Sequence, residues 1–124
     1  MNTLQATQPA PFRLPEAPTE PDLLAKYFRG LGDPTRVRIL RLLEERERSV
    51  GELVKALRSP QPKVSNHLAC LRWCGFVESR REHRTVYYRL ADQRITALLE
   101  LGGELLCENA EHIAACRTIG GESS

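Results

Sequence analysis

The stretch from Ser59 to Gly75, SPQPKVSNHLACLRWCG, constrains this chain more than any other, because its punctuation and periodicity specify one helix with three distinct faces. Ser59 suits an N-cap, Pro60 the first helical position and Gly75 the left-handed residue just past the last turn. A helix is therefore predicted from about Pro60 to about Cys74. With an advance of ~100° per residue, Val64, Leu68 and Leu71 fall in one narrow stripe, the pattern of a core anchor. Gln61, Lys63, Ser65 and Asn66 lie outside that stripe. Cys70 and Cys74 are one turn apart and project together from a flank roughly 100° from the core stripe.

The chain has 124 residues, enough for one domain with a modest core but short for an enzyme with an enclosed site. No run approaches the ~18 apolar residues needed to cross a bilayer, and the N-terminus lacks the basic-then-apolar pattern of a signal peptide. A cytoplasmic protein is expected, with no membrane partner. Four cysteines are too sparse for a disulfide scaffold, and in a reducing compartment thiols more often bind metal or serve redox chemistry.

Charge is unevenly distributed. Between Lys55 and Arg94 nine basic residues face three acidic ones, leaving nine against thirteen for the remainder. A basic middle in an otherwise acidic chain points to a polyanion partner for that segment, with a merely solvated charged surface as the alternative.

Residues 1–20 carry Pro9, Pro11, Pro15 and Pro18 with little apolar periodicity and are expected to form a disordered tail. From Pro21, apolar residues Leu23, Leu24, Tyr27, Phe28 and Leu31 mark a first helix. Asp33-Pro34 opens a second, with Val37, Ile39, Leu40 and Leu43 facing inward to about Glu45. Arg46 to Arg48 read as a loop. Ser49-Val50-Gly51-Glu52 is a capping box that starts a short third helix, and Arg58-Ser59 turns directly into the helix described first. Two short helices joined by a tight turn form a helix-turn-helix.

Beyond Gly75, Phe76–Arg80 and Thr85–Leu90 read as two strands, the second alternating Val86, Tyr88 and Leu90 with Thr85, Tyr87 and Arg89. Arg81-Glu82-His83-Arg84 forms a basic tip between them. The fold expected is mainly α with a β-hairpin wing, a winged helix-turn-helix domain over residues 21–117 followed by a flexible tail at 118–124. Asp92 caps a last helix whose stripe comprises Ile95, Leu98, Leu99, Leu105, Leu106 and Ile113. Gly102 lies on that stripe; it weakens the helix by ~1 kcal/mol relative to Ala but admits a close backbone approach. This apolar surface and that of the first helix exceed what one small domain buries, so a homodimer through the terminal helices is expected, its two-fold symmetry matching two half-sites on DNA.

For DNA, Gln61, Lys63, Ser65, Asn66 and His67 are assigned to the groove and Arg80, Arg81, His83 and Arg84 to the backbone beside it. Asn and Gln pair bidentately with adenine, whereas Lys and Ser discriminate less. His67 has an alternative role, packed at the helix interface. Tyr87 and Tyr88 read as strand packing. An enzyme built on Cys70 with His67 is set aside, because nothing in the chain supplies an oriented base and an oxyanion site within a cleft.

Three elements in this order, Leu31-Gly32-Asp33-Pro34-Thr35-Arg36-Val37-Arg38-Ile39-Leu40, then Val64-Ser65-Asn66-His67-Leu68 with Leu71 and Gly75, then Val86-Tyr87-Tyr88-Arg89-Leu90, resemble the ArsR/SmtB family of metal-responsive winged-helix repressors, from about Asp22 to Arg117. The resemblance implies a homodimeric repressor that leaves its operator when an inducer binds. Family sites differ in place. The arsenic-type site uses cysteines in the helix before the recognition helix, and Val50 to Leu57 contains none. The zinc-type site uses Asp and His early in the last helix, whereas Asp92 is followed here by Gln93 and Arg94.

The pattern that remains looks like the cadmium- and lead-sensing branch, which takes two thiolates from the recognition helix and a third from the C-terminal region. That resemblance implies Cys70 and Cys74 with Cys116 or Cys107. Cys116 matches better by its distance from Asp92, while Cys107 lies on the more reliably ordered helix. The presence of both leaves a trigonal and a four-thiolate site open. All-sulfur ligation selects soft ions such as Cd(II), Pb(II), Hg(II) or Cu(I). As(III) and Zn(II) fit less well as inducers, zinc more often taking four ligands that include His, for which His112 is the candidate. The alternatives are that Cys70 and Cys74 are small buried hydrophobes, or that the pair senses oxidants or persulfides by forming a sulfur bridge.

Overall fold

The computed structural model describes residues 17–115. Most of the N-terminal tail, Cys116, Arg117 and the tail at 118–124 lie outside the described residues. In chain order the elements are α1 (Glu20–Gly30), α2 (Pro34–Glu45), β1 (Arg48–Ser49), α3 (Val50–Leu57), α4 (Gln61–Trp73), β2 (Val77–Glu82), β3 (Thr85–Leu90) and α5 (Arg94–Ala115). This is the expected winged helix-turn-helix, mostly helical with one small antiparallel sheet.

Helix starts follow local chemistry. Thr19, placed in the tail by composition, is the N-cap of α1: its hydroxyl accepts from Asp22 N–H while the Asp22 carboxylate accepts from Thr19 N–H at 2.9 Å. Asp33 Oδ1 accepts from the amides of Thr35 and Arg36 at 2.8 and 3.2 Å. Ser49 and Glu52 form the predicted capping box of α3, and Asp92 Oδ1 accepts from Arg94 N–H at 2.8 Å to begin α5.

The start of α4 differs from expectation. Pro60, at φ −61° and ψ 146°, is its N-cap, with no side-chain cap bond, and Ser59 is not. The reason lies in how α3 ends. Arg58 adopts a left-handed conformation, and the Ser59 amide donates back to Val54 O, so Ser59 closes the preceding helix. The far end of α4 behaves as predicted: Gly75 has φ +86°, its amide donates to Arg72 O and Phe76 N–H donates to Leu71 O, a Schellman closure.

The core comprises Ile39, Leu40 and Leu43 of α2, Leu53 of α3, Val64, Leu68 and Leu71 of α4, Phe76 and Val77, and Ile95 and Leu99 of α5. All three residues of the predicted α4 stripe are fully buried. Each such side chain contributes about 1.5–3 kcal/mol by leaving water. Tyr27 of α1 stacks on Phe76 with ring centroids 4.4 Å apart, bringing α1 against the end of α4.

In the sheet β3 is central, in the order β1-β3-β2. β1 corrects the reading of Arg46–Arg48 as loop: Arg48 pairs with Tyr88 and Ser49 with Tyr87. β2 runs to Glu82, so Arg81 and Glu82 are strand residues and the turn is His83-Arg84 alone, with His83 at φ +59°. A positive φ at the first loop position suits a two-residue hairpin. α5 also departs from a single straight rod. Asn109 has φ −124° inside it and its side-chain amide donates to Leu105 O at 3.0 Å. Leu23, Leu24 and Phe28 of α1 and Leu101, Leu105, Leu106 and Ile113 of α5 stay exposed, the uncovered apolar surface that the sequence pattern shows. No described helix is long and apolar enough to cross a membrane.

The two positive-φ closures of the helix-turn-helix predict opposite responses to substitution. A Cβ at Gly75 would meet nothing within 4 Å, so Gly75→Ala should cost only the backbone penalty of about 1–2 kcal/mol. Arg58→Gly should relieve such a penalty and leave stability equal or raised by up to about 1 kcal/mol. Urea unfolding of the two variants beside the parent checks both signs.

Candidate DNA interface and thiol pair

Burial of Val64, Leu68 and Leu71 fixes how α4 is turned about its axis, and Gln61, Lys63, Ser65 and Asn66 are exposed as a result. His67 is different. Its side chain is only 14% exposed, and its Nδ1 accepts from Arg36 Nε at 3.2 Å while Nε2 lies 3.9 Å from Asp33 Oδ1. Arg36 also donates through Nη1 to Gly30 O at 3.2 Å. One guanidinium thus joins the end of α1, the first turn of α2 and the middle of α4. This placement favours the packed role of His67 over a place in the groove.

On the wing, Arg81, His83 and Arg84 are exposed and carry no ion pair among the described residues. Arg80 is engaged. Its guanidinium donates to Glu47 at 2.7 and 2.8 Å and to Glu82 at 2.9 Å, and it lies 4.6 Å over the Tyr87 ring. Glu47 is correspondingly held below the usual carboxylate range by the Arg80 hydrogen bond. Between the wing and the helix-turn-helix runs a cleft of about 380 Å³ lined by Ser49, Val50, Gly51, Gln61, Arg84, Thr85 and Val86.

Cys70 and Cys74 are brought together, both half-buried and unbridged. Burial pushes the Cys74 thiol up from its ordinary value, and the neighbouring Cys70, which hydrogen-bonds it, adds to the rise; Arg36 and Lys26 oppose it. A Cβ on Gly30 would stand 3.5 Å from Cys74 Sγ and 3.2 Å from the Phe76 ring, so the end of α1 lies against Cys74 and Phe76. Cys107 and His112 are exposed on α5. No group of three or more His, Cys, Asp or Glu side chains that could hold an ion forms among the described residues. Two thiols therefore converge within one chain, and Cys116, the other expected ligand, lies outside the described residues.

Residues 33–79 match the family described as bacterial regulatory protein, arsR family. A probable mercury resistance operon repressor of Streptomyces lividans is 39% identical over 104 residues, covering 84% of this chain and 83% of its own length. The crystal structure of Mycobacterium tuberculosis Rv0081 superposes with a TM-score of 0.72 at 34% identity, covering 80% of this chain and 100% of that one.

The chain belongs to the ArsR family.

A further ArsR-type neighbour is the homodimeric winged helix-turn-helix DNA-binding domain Mb0332 of Mycobacterium bovis, a possible ArsR-family transcriptional regulator, with a TM-score of 0.68, 29% identity and coverage of 79% and 95% of the two chains. The chain is thus a transcriptional regulator with a DNA-binding fold, not an enzyme, in a family of metal-sensing repressors. The Asp33, Arg36 and His67 of its two most recognisable motifs are the residues that brace α4. Their joint role was hidden in the sequence, because 31 positions separate Arg36 from His67. The only signal was their presence in two short motifs, with nothing to say that those motifs touch.

Removing the brace should loosen the recognition helix. Arg36→Ala leaves Gly30 O and His67 Nδ1 without their donor, an expected loss of about 1–3 kcal/mol in stability. Amide hydrogen exchange should then quicken in α4 more than in α5. Unchanged protection in α4 would mean that its core stripe alone holds the helix.

Proposed function

We propose that this protein is a cytoplasmic, metal-responsive repressor that holds operator DNA as a homodimer and is released when a soft ion, Cd(II), Pb(II) or Hg(II), binds thiolates on the recognition helix. Cys70 and Cys74 supply two ligands, and Cys107 or Cys116 supplies further sulfur. As(III) and Zn(II) are weaker candidates. The observation that carries this reading is the position of the thiols: two half-buried sulfurs in contact, Cys70 on α4 and Cys74 at its C-cap, between the core stripe and the exposed face, with Cys74 against the end of α1. The mercury-operon relative supports a soft-metal inducer. Exposed Leu23, Leu24 and Phe28 of α1 with Leu101, Leu105 and Leu106 of α5 supply a dimer surface.

In this reading Gln61, Lys63, Ser65 and Asn66 enter the major groove, and Arg81, His83 and Arg84 meet phosphates from the wing. Arg80 is withheld by Glu47 and Glu82 unless a phosphate displaces them, and His67 acts by positioning α4. A thiophilic ion joins the α4 pair to sulfur from another segment, holding the helix in a setting that fits DNA poorly. Metal and DNA then weaken each other's binding by one common factor, with a coupling of about 1–3 kcal/mol.

The pH dependence follows from the thiols. Cys74 is pushed up, so near neutral pH it carries a proton that the ion must displace. Apparent metal affinity should therefore rise with pH, by about two orders of magnitude per unit if two thiol protons leave. Ultraviolet titration of the reduced protein with each ion, in buffers spanning the neutral range, reads this slope from thiolate-to-metal absorption. Saturation at about one ion per subunit, lost in Cys70→Ser and in Cys74→Ser, supports the site. Equal absorption and equal DNA release in both variants would place the sensor elsewhere. Absence of absorption with every ion, with loss of free thiols on oxidation, would shift the same scaffold to redox or persulfide sensing.

A further inference from the structure

Trp73 is the only tryptophan in the chain and is 91% exposed, at the last position of α4. An isolated side chain of that size, held in water on a rigid helix, contributes nothing to the domain's own core. Its helical position shows where it looks. Seven residues return an α-helix to within ~20° of its starting direction, so Trp73 continues the row of Pro62, Asn66 and Ala69, all exposed and opposite the buried stripe. Beside it, Arg72 donates to Ser79 Oγ at 3.2 Å. That anchor is a neutral hydroxyl, so the guanidinium is held near β2 with its charge uncompensated among the described residues. α4 carries Lys63 and Arg72 and no acidic residue.

We propose that Trp73 and Arg72 form a contact for the sugar–phosphate backbone of duplex DNA at the C-terminal end of the recognition helix. This rests on the reading that the exposed face of α4 enters DNA. The distance is suitable: seven residues at ~1.5 Å place Trp73 about 10 Å beyond Asn66 along the axis, two turns past the base-facing residues, where a straight helix leaves the floor of a curving groove and meets its flank. With Asn66 over base edges, the indole meets the wall of the groove. There its ring covers deoxyribose, its N–H donates to a phosphate oxygen and Arg72 neutralises the neighbouring phosphate. A purely basic helix favours this polyanion over a protein segment as the occupant. Such a contact carries no sequence information; it fixes how far the helix slides along the groove.

The lone tryptophan makes the test direct. An operator duplex selected by the protein from random-sequence DNA, and a scrambled duplex of equal length, are titrated while Trp73 emission and its quenching by acrylamide are followed. Shielding of the indole at saturation is expected. Trp73→Ala should weaken both duplexes alike by about tenfold, the size expected for truncating an aromatic anchor, and Arg72→Ala should lower the salt slope of binding by about one. Thiolate-to-metal absorption should be unchanged in both variants. An indole as accessible in the DNA complex as in the free protein, with Trp73→Ala binding like the parent, overturns the contact and leaves the DNA reading standing. Shielding on Cd(II) addition without DNA, with none on DNA addition, assigns the indole to a protein segment and likewise overturns it. Failure of the parent to bind any duplex would remove both readings.

Discussion

The rotational setting of α4 about its own axis is what the rest of the molecule depends on. Val64, Leu68 and Leu71 are fully buried among Ile39, Leu40, Leu53 and Phe76, with Ile95 and Leu99 completing the same core. A turn of the helix by one residue, ~100°, would expose that stripe and bury polar groups in its place, a change costing several kcal/mol. Once the stripe is fixed, every other face is fixed with it. Asn66 and Ser65 look outward, the two thiols share a flank with Cys74 beside α1, and His67 falls where Arg36 can reach it. The polar face and the thiol face therefore hold a constant angle to one another, and anything that shifts one shifts both.

Elements whose signals lie within one turn were legible in the residues: the Asp33 cap, the Ser49–Glu52 box, the α4 stripe and the left-handed Gly75 all stand where local pattern puts them. What the pattern left out depends on contacts distant in sequence. β1 is two residues long and exists only because β3 offers Tyr87 and Tyr88 as ladder partners. The Arg80–Glu47 pair spans 33 positions, and the Arg36–His67 brace spans 31. Ser59 departs from its local pattern for a subtler reason. Its residue type suits an N-cap, yet the backbone closure of α3 had already used it, and a local rule cannot tell which of two adjacent helices claims a residue between them. In the candidate site, the thiol pair was legible from helical spacing, but the Gly30 wall against Cys74 was not, since glycine leaves no sequence mark of what it approaches.

The folded chain also changes the meaning of its charge. The nine basic residues between Lys55 and Arg94 are not equivalent: Arg80, Arg89 and Arg94 are paired with Glu47 and Glu82, Glu78 and Asp92 respectively. Arg94 and its backbone amide hold the Asp92 carboxyl down at about 2, so that pair stays ionised throughout the neutral range. Lys55, Arg58, Lys63, Arg72, Arg81 and Arg84 carry no carboxylate partner among the described residues. These six lie in the helix-turn-helix and wing, so the field offered to a polyanion is concentrated there. The engaged arginines stay within reach of it, because exposed ion pairs are worth ~1 kcal/mol or less and a phosphate competes with them easily.

At the proposed thiol site, an ion would have leverage because of what lies at that end of α4. Gly30 is the last residue of α1, its carbonyl accepts from Arg36, and a Cβ there would touch Cys74 Sγ at 3.5 Å and press on the Phe76 ring at 3.2 Å. α1 in turn carries the exposed Leu23, Leu24 and Phe28. In the proposed dimer the same short helix therefore touches the partner subunit along one face and abuts the thiol pair at its end. In that proposal an ion drawing Cys74 away from Gly30, or pressing it closer, would alter the angle between α1 and α4. In the proposed dimer that angle relates the dimer axis to the recognition helix and so sets the separation of the two helices along DNA. Two half-sites one helical turn apart tolerate little error in that separation, so a displacement too small to disturb the core is sufficient to distinguish a dimer that fits its operator from one that does not.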